Sequence, residues 1–183
     1  MVNKNKHLIL TFFDSEQAAD NAVASLKNWD KANKDIKLGA IGVLVKDKDG
    51  KIKTHKLGKR DTTIGAEIGV VLGIIAGVLS GGIAILGGII YGVVLGGIIG
   101  TFIHKGLGLS QDDLKRINDN LDAGHAAVGV LVEKGEVSAT MEELTKLGGK
   151  AETHEVTAEA LQNATQVAAN VPSSGTATAE KTQ

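Results

Sequence analysis

The sequence predicts an α+β protein, in which a ferredoxin-like two-layer sandwich is interrupted by a glycine-rich apolar α-helical hairpin and followed by a disordered C-terminal tail. Three observations lead to this prediction. Apolar runs of strand length alternate with helix-like segments on both sides of the middle of the chain. Residues 64–103 contain twelve glycines and one formal charge, on Glu67. From Thr157 onward the composition shifts to alanine, threonine, glutamine, asparagine and serine.

The chain begins with a strand and a helix. Leu8 to Phe13 is an apolar run that stops at Asp14, and its length is typical of a buried strand. Asp14 or Ser15 is a suitable helix cap, and small or apolar residues then recur at helical spacing from Ala18 to Leu26. We therefore expect a helix with one apolar face directly after the first strand.

Two further strands are expected before the insertion. Ala40 to Val45 is a second apolar run. The Asp49-Gly50 pair that follows it is a frequent turn between paired strands. Lys51 to Leu57 is the expected returning strand, so the order of elements up to this point is strand, helix, strand, strand.

Two helix–strand pairs follow the insertion. Ser110 to Leu121 predicts a helix, and Ala126 to Val132 predicts a strand. Val137 to Leu144 predicts another helix, which ends at Gly148-Gly149 before a last strand over Lys150 to Val156. The first six elements of the chain match a ferredoxin-like sandwich with two helices on one face of an antiparallel sheet. A different two-layer α+β arrangement is the alternative.

These elements divide the chain into four parts. Residues 1–60 and 107–157 are the two halves of the α+β domain, and residues 61–106 are the inserted hairpin. Residues 158–183 are a low-complexity tail, of which we expect 171–183 to be disordered.

The insertion is expected to be a helical hairpin with arms at about 62–79 and 84–103, joined by a turn at Ser80-Gly81-Gly82. Glycines recur every four residues in both arms, which places them nearly on one helical face. A face without side chains lets a second helix approach closely, so the spacing predicts homo-oligomerisation through a glycine zipper. The glycines concerned are Gly65, Gly69, Gly73, Gly77, Gly81, Gly88, Gly92, Gly96 and Gly100.

The apolar insertion is long enough for two membrane-spanning helices of roughly 20 residues each. The leading interpretation is therefore a non-enzymatic protein that is embedded in a lipid bilayer and associates with further copies of itself. Basic residues flank both ends of the insertion, which places the polar domain and both termini in the cytoplasm. The candidates for contact with lipid headgroups are Lys56, Lys59, Arg60 and Lys105.

Two other interpretations remain open. In the first, the protein is a soluble self-assembling structural protein that forms a large particle or tube, with the hairpins buried inside. In the second, it is an ion or proton channel that uses Glu67, the one ionisable residue within the apolar segment. His104 lies at the other end of the hairpin, so Glu67 and His104 are also candidates for a proton-sensitive or interfacial pair.

The composition and motifs argue against an enzyme. The chain has no cysteine, which excludes a thiolate nucleophile and cysteine-ligated metals. Its five histidines lack metal-ligand spacing, and the sequence has no phosphate-binding loop or nucleophile motif. We therefore expect no catalytic residue, cofactor, metal or small-molecule substrate. The formal net charge of −1 gives no electrostatic reason to bind nucleic acid.

Five segments and the glycine-rich hairpin together match a known pattern. The segments are Leu8–Asp14, Val43–Lys51, Leu107–Ser110, Ala126–Val132 and Glu136–Gly149. Over roughly residues 6–157, the chain resembles the bacterial membrane protein family of domain of unknown function 1269. The resemblance implies a bacterial inner (cytoplasmic) membrane location and an envelope- or stress-related role, with no catalytic residues to carry over. The long alanine-, threonine- and glutamine-rich tail departs from the family pattern.

Overall fold

A computed structural model of the chain describes residues 5–33, 38, 41–56, 64–80, 84–86, 89–91, 102–122 and 124–170. The strands are, in chain order, β1 (Lys6–Phe13), β2 (Ile41–Lys46), β3 (Ile52–Lys56), β4 (Ala84–Leu86), β5 (Ile89–Tyr91), β6 (Ala126–Val132) and β7 (Lys150–Val156). The helices are α1 (Glu16–Ala32), α2 (Ile64–Leu79), α3 (Gln111–Asp122), α4 (Val137–Lys146) and α5 (Ala158–Asn170). A π-helical turn at Phe102–Gly106 precedes α3.

Five of the strands form one antiparallel sheet in the order β3-β2-β6-β1-β7. Within it, β1 lies between β6 and β7, and Leu10 stands opposite Gly129 on one side and Glu152 on the other. The strand β6 also pairs with β2, so the parts of the chain before and after the insertion share one sheet. The predicted α+β class is therefore confirmed.

Helices cover both faces of this sheet. On the first face, α1 and α4 pack over Ile9 and Phe13 of β1. On the second face, α2, α3 and α5 pack over Leu8 and Leu10 of the same strand. The sequence predicts two layers, whereas the structure has three, because helices cover both faces of the sheet. The difference has a physical reason. All seven residues of β6 are buried, and a strand of that kind needs cover on both of its faces.

Local sequence signals determine the start of α1 and the turn between β2 and β3. Ser15 Oγ accepts a hydrogen bond from the Ala18 amide at 3.2 Å, as expected of a helix cap. In the turn, Asp47 Oδ1 accepts hydrogen bonds from the amides of Asp49 and Lys51 at 3.0 and 2.9 Å. The predicted helix cap and the predicted turn between the paired strands β2 and β3 are both confirmed.

The first half of the apolar insertion, α2, lies across the second face of the sheet. Ile68, Leu72 and Ile75 are each at most 1% exposed. Leu72 approaches β6 so closely that a Cβ atom on Gly129 would lie 2.6 Å from Leu72 Cδ2. The glycine in the middle of β6 therefore provides the space into which the helix packs.

The membrane interpretation is contradicted by the structure. The helix α2 has 16 residues, and no helix among the described residues is long and apolar enough to cross a membrane. The predicted bilayer-embedded protein, its transmembrane helices and its inner-membrane location are therefore wrong. The apolar composition of α2 has a different cause, because the helix is enclosed by the sheet and by contacts with α5 and β4.

The second half of the insertion also differs from its prediction. A helix is expected over 84–103, but β4 and β5 pair there as a separate two-stranded antiparallel sheet, and a π-helical turn forms at Phe102–Gly106. The isoleucines of these strands have high β propensity, and the adjacent glycines at 87 and 88 suit a tight turn. In the described part of this segment, residues 84–86 and 89–91, the chain therefore forms strands where a helix is predicted. Residues 92–101 lie outside the described residues.

The start of the predicted low-complexity tail belongs to the folded part of the chain. Ala158–Asn170 forms α5, whose Leu161 is 3% exposed in the core of the second face. The amide of Thr157 donates to the Gly106 carbonyl at 3.1 Å and so connects this helix to the end of the insertion. The predicted disorder of residues 171–183 lies outside the described residues.

Candidate functional site

The candidate site is the two-stranded sheet formed by β4 and β5, which we call the ribbon. Its register places Ala84 opposite Tyr91, Ile85 opposite Ile90, and Leu86 opposite Ile89. Two residues therefore connect the paired strands. An isolated two-stranded sheet is marginally stable in water, so the ribbon needs support from other elements.

The two strands of the ribbon differ in their contacts with the other described elements. The strand β4 contacts α2 and also approaches β3, the edge strand of the large sheet. The main contacts of β5 are with β4. The outer edge of the ribbon is therefore the edge of β5 that faces away from β4, and no strand of the described residues pairs with it.

The composition of the ribbon differs from that of the two edges of the large sheet. Charged side chains along an edge strand oppose pairing with another chain, and both edges of the large sheet carry them. The edge strand β7 contains Lys150, Glu152 and Glu155, and β3 contains Lys53 and Lys56. All six residues of the ribbon are uncharged, five of them aliphatic and the sixth Tyr91, and no formal charge occurs between Glu67 and His104. Both edge strands of the main sheet thus carry charges, whereas neither strand of the ribbon does.

A second cluster of polar groups joins α3 to the edge strand β7. Arg116 donates from Nε and Nη2 to Glu152 Oε2 at 3.1 and 2.9 Å, and from Nη2 to Asp113 Oδ1 at 2.9 Å. His154 Nε2 lies 3.0 Å from Glu152 Oε1. Burial raises the pKa of Glu152, but the hydrogen bonds and charges of His154 and Arg116 outweigh it, so the pKa is lowered overall. These four side chains bond to one another, which indicates a structural role in holding α3 to the sheet.

Asp113 also closes a capping box at the start of α3. Its Oδ2 accepts from the Ser110 amide at 2.9 Å and from Ser110 Oγ at 2.7 Å, while its own amide donates to Ser110 Oγ at 3.1 Å. The hydrogen bonds from Ser110, together with those from Arg116, lower the pKa of Asp113 from 3.8 to about 2. The ionised carboxylate therefore stabilises the folded state.

Replacing Asp113 with asparagine is expected to reduce stability at pH 7 by about 1 kcal/mol, because the helix loses a charged cap. A carboxyl with a lowered folded pKa contributes its full stability above its usual pKa and loses it as the pH falls through the folded value. The difference between wild type and Asp113→Asn should therefore shrink between pH 4 and pH 2, a window that follows from the shift to about 2. Urea unfolding at a series of pH values measures this difference.

Asp112→Asn, at an exposed position in the same turn, is the control and should show a smaller difference. An Asp113→Asn difference that stays constant down to pH 2 would contradict the role of the cap.

The structure gives Glu67 and His104 different partners. Glu67 forms an ion pair with Lys6 of β1, and both side chains are largely buried. His104 Nδ1 lies 2.9 Å from the Leu109 carbonyl oxygen, and its Nε2 lies 3.4 Å from Gln111 Nε2. Glu67 thus fixes the start of α2 to the sheet, and the channel interpretation has no support in these contacts.

Some of the other predicted site residues lie within the described part of the chain, and others lie outside it. Gly65, Gly69, Gly73 and Gly77 lie in α2, and the last three of them are buried. Lys56 belongs to β3, and Lys105 is exposed in the π-helical turn. Outside the described residues lie Lys59, Arg60, Gly81, Gly88, Gly92, Gly96 and Gly100. The predicted glycine contacts between copies therefore stay a prediction.

Within the described parts of the chain, no group of three or more histidine, aspartate or glutamate side chains is placed to hold a metal ion. Comparison of the sequence with protein-family models and curated proteins, and of the structure with solved structures, found no match. The resemblance to the family of domain of unknown function 1269 therefore stays a prediction.

Proposed function

We propose that this chain is a self-assembling structural protein whose glycine-rich apolar segment is buried against protein inside a large particle or tube. The observation that carries the proposal is the ribbon, a two-stranded sheet of six uncharged, mainly aliphatic residues. An unprotected edge of this kind favours pairing with another chain. The same chain protects the edges of its main sheet with charges, so the difference between them supports an interface at the ribbon.

The surroundings of α2 support the same proposal. This helix is as rich in glycine and aliphatic residues as the segment that follows it, and it is buried against the chain's own sheet. Glycine-rich apolar sequence in this protein is therefore compatible with close packing against protein. The uncharged residues after the ribbon have the same composition, and burial between copies would remove their apolar surface from water.

We also propose that the scaffold is ferredoxin-like, with its two halves separated by an insertion. The strands β7, β1, β6 and β2 are neighbours in that order and all antiparallel, and α1 and α4 pack on the same face. These features support a unit made of β1, α1, β2, β6, α4 and β7. The segment between β2 and β6, which contains β3, α2, β4, β5 and α3, is then inserted into this unit and is longer than the predicted insertion of residues 61–106.

The proposal predicts multi-copy species in detergent-free buffer, where sedimentation velocity should give a mass several times the 18.9 kDa of one chain. Val94 lies in the uncharged run after the ribbon, which the proposal buries between copies, so Val94→Lys should lower the mass by adding a charge to that interface. Thr153→Lys adds the same charge at an exposed position of β7 and should leave the mass unchanged. A wild type that sediments as a monomer, or that stays in solution only with detergent, would overturn the proposal.

A further inference from the structure

We infer that two copies of this chain pair through the outer edge of β5, and that the two ribbons form one four-stranded antiparallel sheet in the order β4-β5-β5-β4. The inference rests on the proposed function and names the contact by which the assembly is built. The partner at the outer edge of β5 is a second copy of the same chain.

The edge available for pairing is set by the position of the ribbon. Because β4 packs against α2 and lies near β3, its side of the ribbon is turned toward the fold. The strand β5 has its main contacts with β4 and forms the opposite border of the small sheet. A second chain therefore reaches β5 without displacing any element of the described residues.

The register determines which backbone groups face that edge. In a two-residue hairpin the residues on either side of the turn are joined by a hydrogen bond, which here links Leu86 and Ile89. Residues along an antiparallel strand alternate between bonding to the neighbour and facing away from it. The next pair, Ile85 and Ile90, is therefore of the second kind. The N–H and C=O of Ile90 are thus directed away from β4, and no strand of the described residues pairs with them.

A second copy of the chain can supply hydrogen-bond partners for the backbone N–H and C=O of Ile90. Two identical strands that meet antiparallel about a two-fold axis present the same surface to each other, so one self-complementary edge suffices. Ile90 of one chain would then lie at the centre of the contact, exchanging backbone hydrogen bonds with β5 of the other. The absence of charge on both strands means that no repulsion opposes the pairing.

The edges of the large sheet are less suitable for this contact. A partner at β3 would meet Lys53 and Lys56, and a partner at β7 would meet Lys150 and Glu155. Such charges are the usual protection against edge-to-edge association. The choice of β5 therefore follows from position, backbone direction and charge together.

The first experiment removes the outward donor at position 90. Ile90→Pro deletes this N–H while leaving the hydrogen bonds between β4 and β5, since proline is tolerated at the free edge of a sheet. The mass of the wild-type assembly should fall at least twofold. Ile90→Val keeps the N–H and should leave the mass unchanged. Ile85→Pro deletes the corresponding donor on the β4 side and should also leave it unchanged, provided that circular dichroism shows folded chains.

A second experiment keeps the inference testable if the proline variant does not fold. The chain has no cysteine, so Ile90→Cys introduces a single thiol at the centre of the expected contact. Mild oxidation should convert most of this variant to a covalent dimer, whereas Ser138→Cys, at an exposed position of α4, should stay monomeric on denaturing gels. An assembled protein that gives no dimer through position 90 and is unchanged by Ile90→Pro would overturn the inference and leave the proposed function intact. A wild type that does not assemble would overturn both.

Discussion

Gly149→Ala should destabilise the protein by about 3 kcal/mol, at the upper end of the usual cost of overpacking a core. A Cβ atom at this position would lie 2.2 Å from Thr11 Cγ2 and 2.7 Å from Phe13 Cζ. Thr11 is fully buried and Phe13 is 2% exposed, so neither side chain has space to move away. The backbone between α4 and β7 would have to shift instead.

The shift is costly because Gly149 also completes the end of α4. Its amide donates to the Leu144 carbonyl at 3.1 Å, and the Gly148 amide donates to the Thr145 carbonyl at 3.0 Å. With Gly148 at a φ of 90°, these bonds form a Schellman motif. Moving Gly149 away from the sheet would break the motif or pull β7 out of register with β1.

Urea unfolding at fixed protein concentration tests this prediction, because association contributes to apparent stability. Gly135→Ala is the matched control, since Gly135 has no heavy atom within 4 Å of the added methyl group, and its effect should stay within about 0.5 kcal/mol. Similar midpoints for Gly149→Ala and Gly135→Ala would show that α4 does not dock against β1 as described.

Much of the fold is predictable from local patterns in the sequence. The alternation of apolar runs with amphipathic segments identifies β1, α1, β2 and β6, and Ser15 and the Asp49-Gly50 turn mark their boundaries. Even the third layer has a sequence signal. In β6, Ala126 to Val132 is apolar without alternation, which is typical of a strand covered on both faces, and Gly129 interrupts it where α2 approaches.

The insertion is not predictable in the same way, because hydrophobicity does not identify what an apolar helix packs against. The aliphatic residues of α2 suit a lipid environment and the face of a sheet equally well. The two environments are distinguished by contacts between residues that lie far apart in the sequence. Leu72 contacts Gly129, 57 positions later in the chain, and Glu67 pairs with Lys6 of β1. The four-residue glycine period also hides the ribbon, since the same residues permit a helix or a hairpin turn. The candidate site therefore becomes visible only once the strands are paired.

The packing of α2 on the sheet can be tested by a double-mutant cycle at Leu72 and Gly129. Leu72→Ala should cost about 3 kcal/mol, because it empties a site where Leu72 is 1% exposed. Gly129→Ala should cost about 1–2 kcal/mol, because the new Cβ would lie 2.6 Å from Leu72 Cδ2 and 3.1 Å from Cδ1. The flexible end of the leucine side chain can give way in part, which keeps this second cost below that of Gly149→Ala.

The test of the packing is the comparison of the double variant with the two single variants. In the double variant, the methyl group introduced at position 129 occupies space that Leu72 has vacated, so the total loss should be at least about 1 kcal/mol smaller than the sum of the single losses. Leu72→Ala combined with Gly149→Ala is the control, because Gly149 contacts Thr11 and Phe13 rather than Leu72, and these losses should add within about 0.5 kcal/mol. Coupling between 72 and 129 is expected only if α2 lies on the sheet. If the stability losses at positions 72 and 129 were strictly additive, α2 would not lie on the sheet as described. The strand β4 and the ribbon would then lack the helix that supports them.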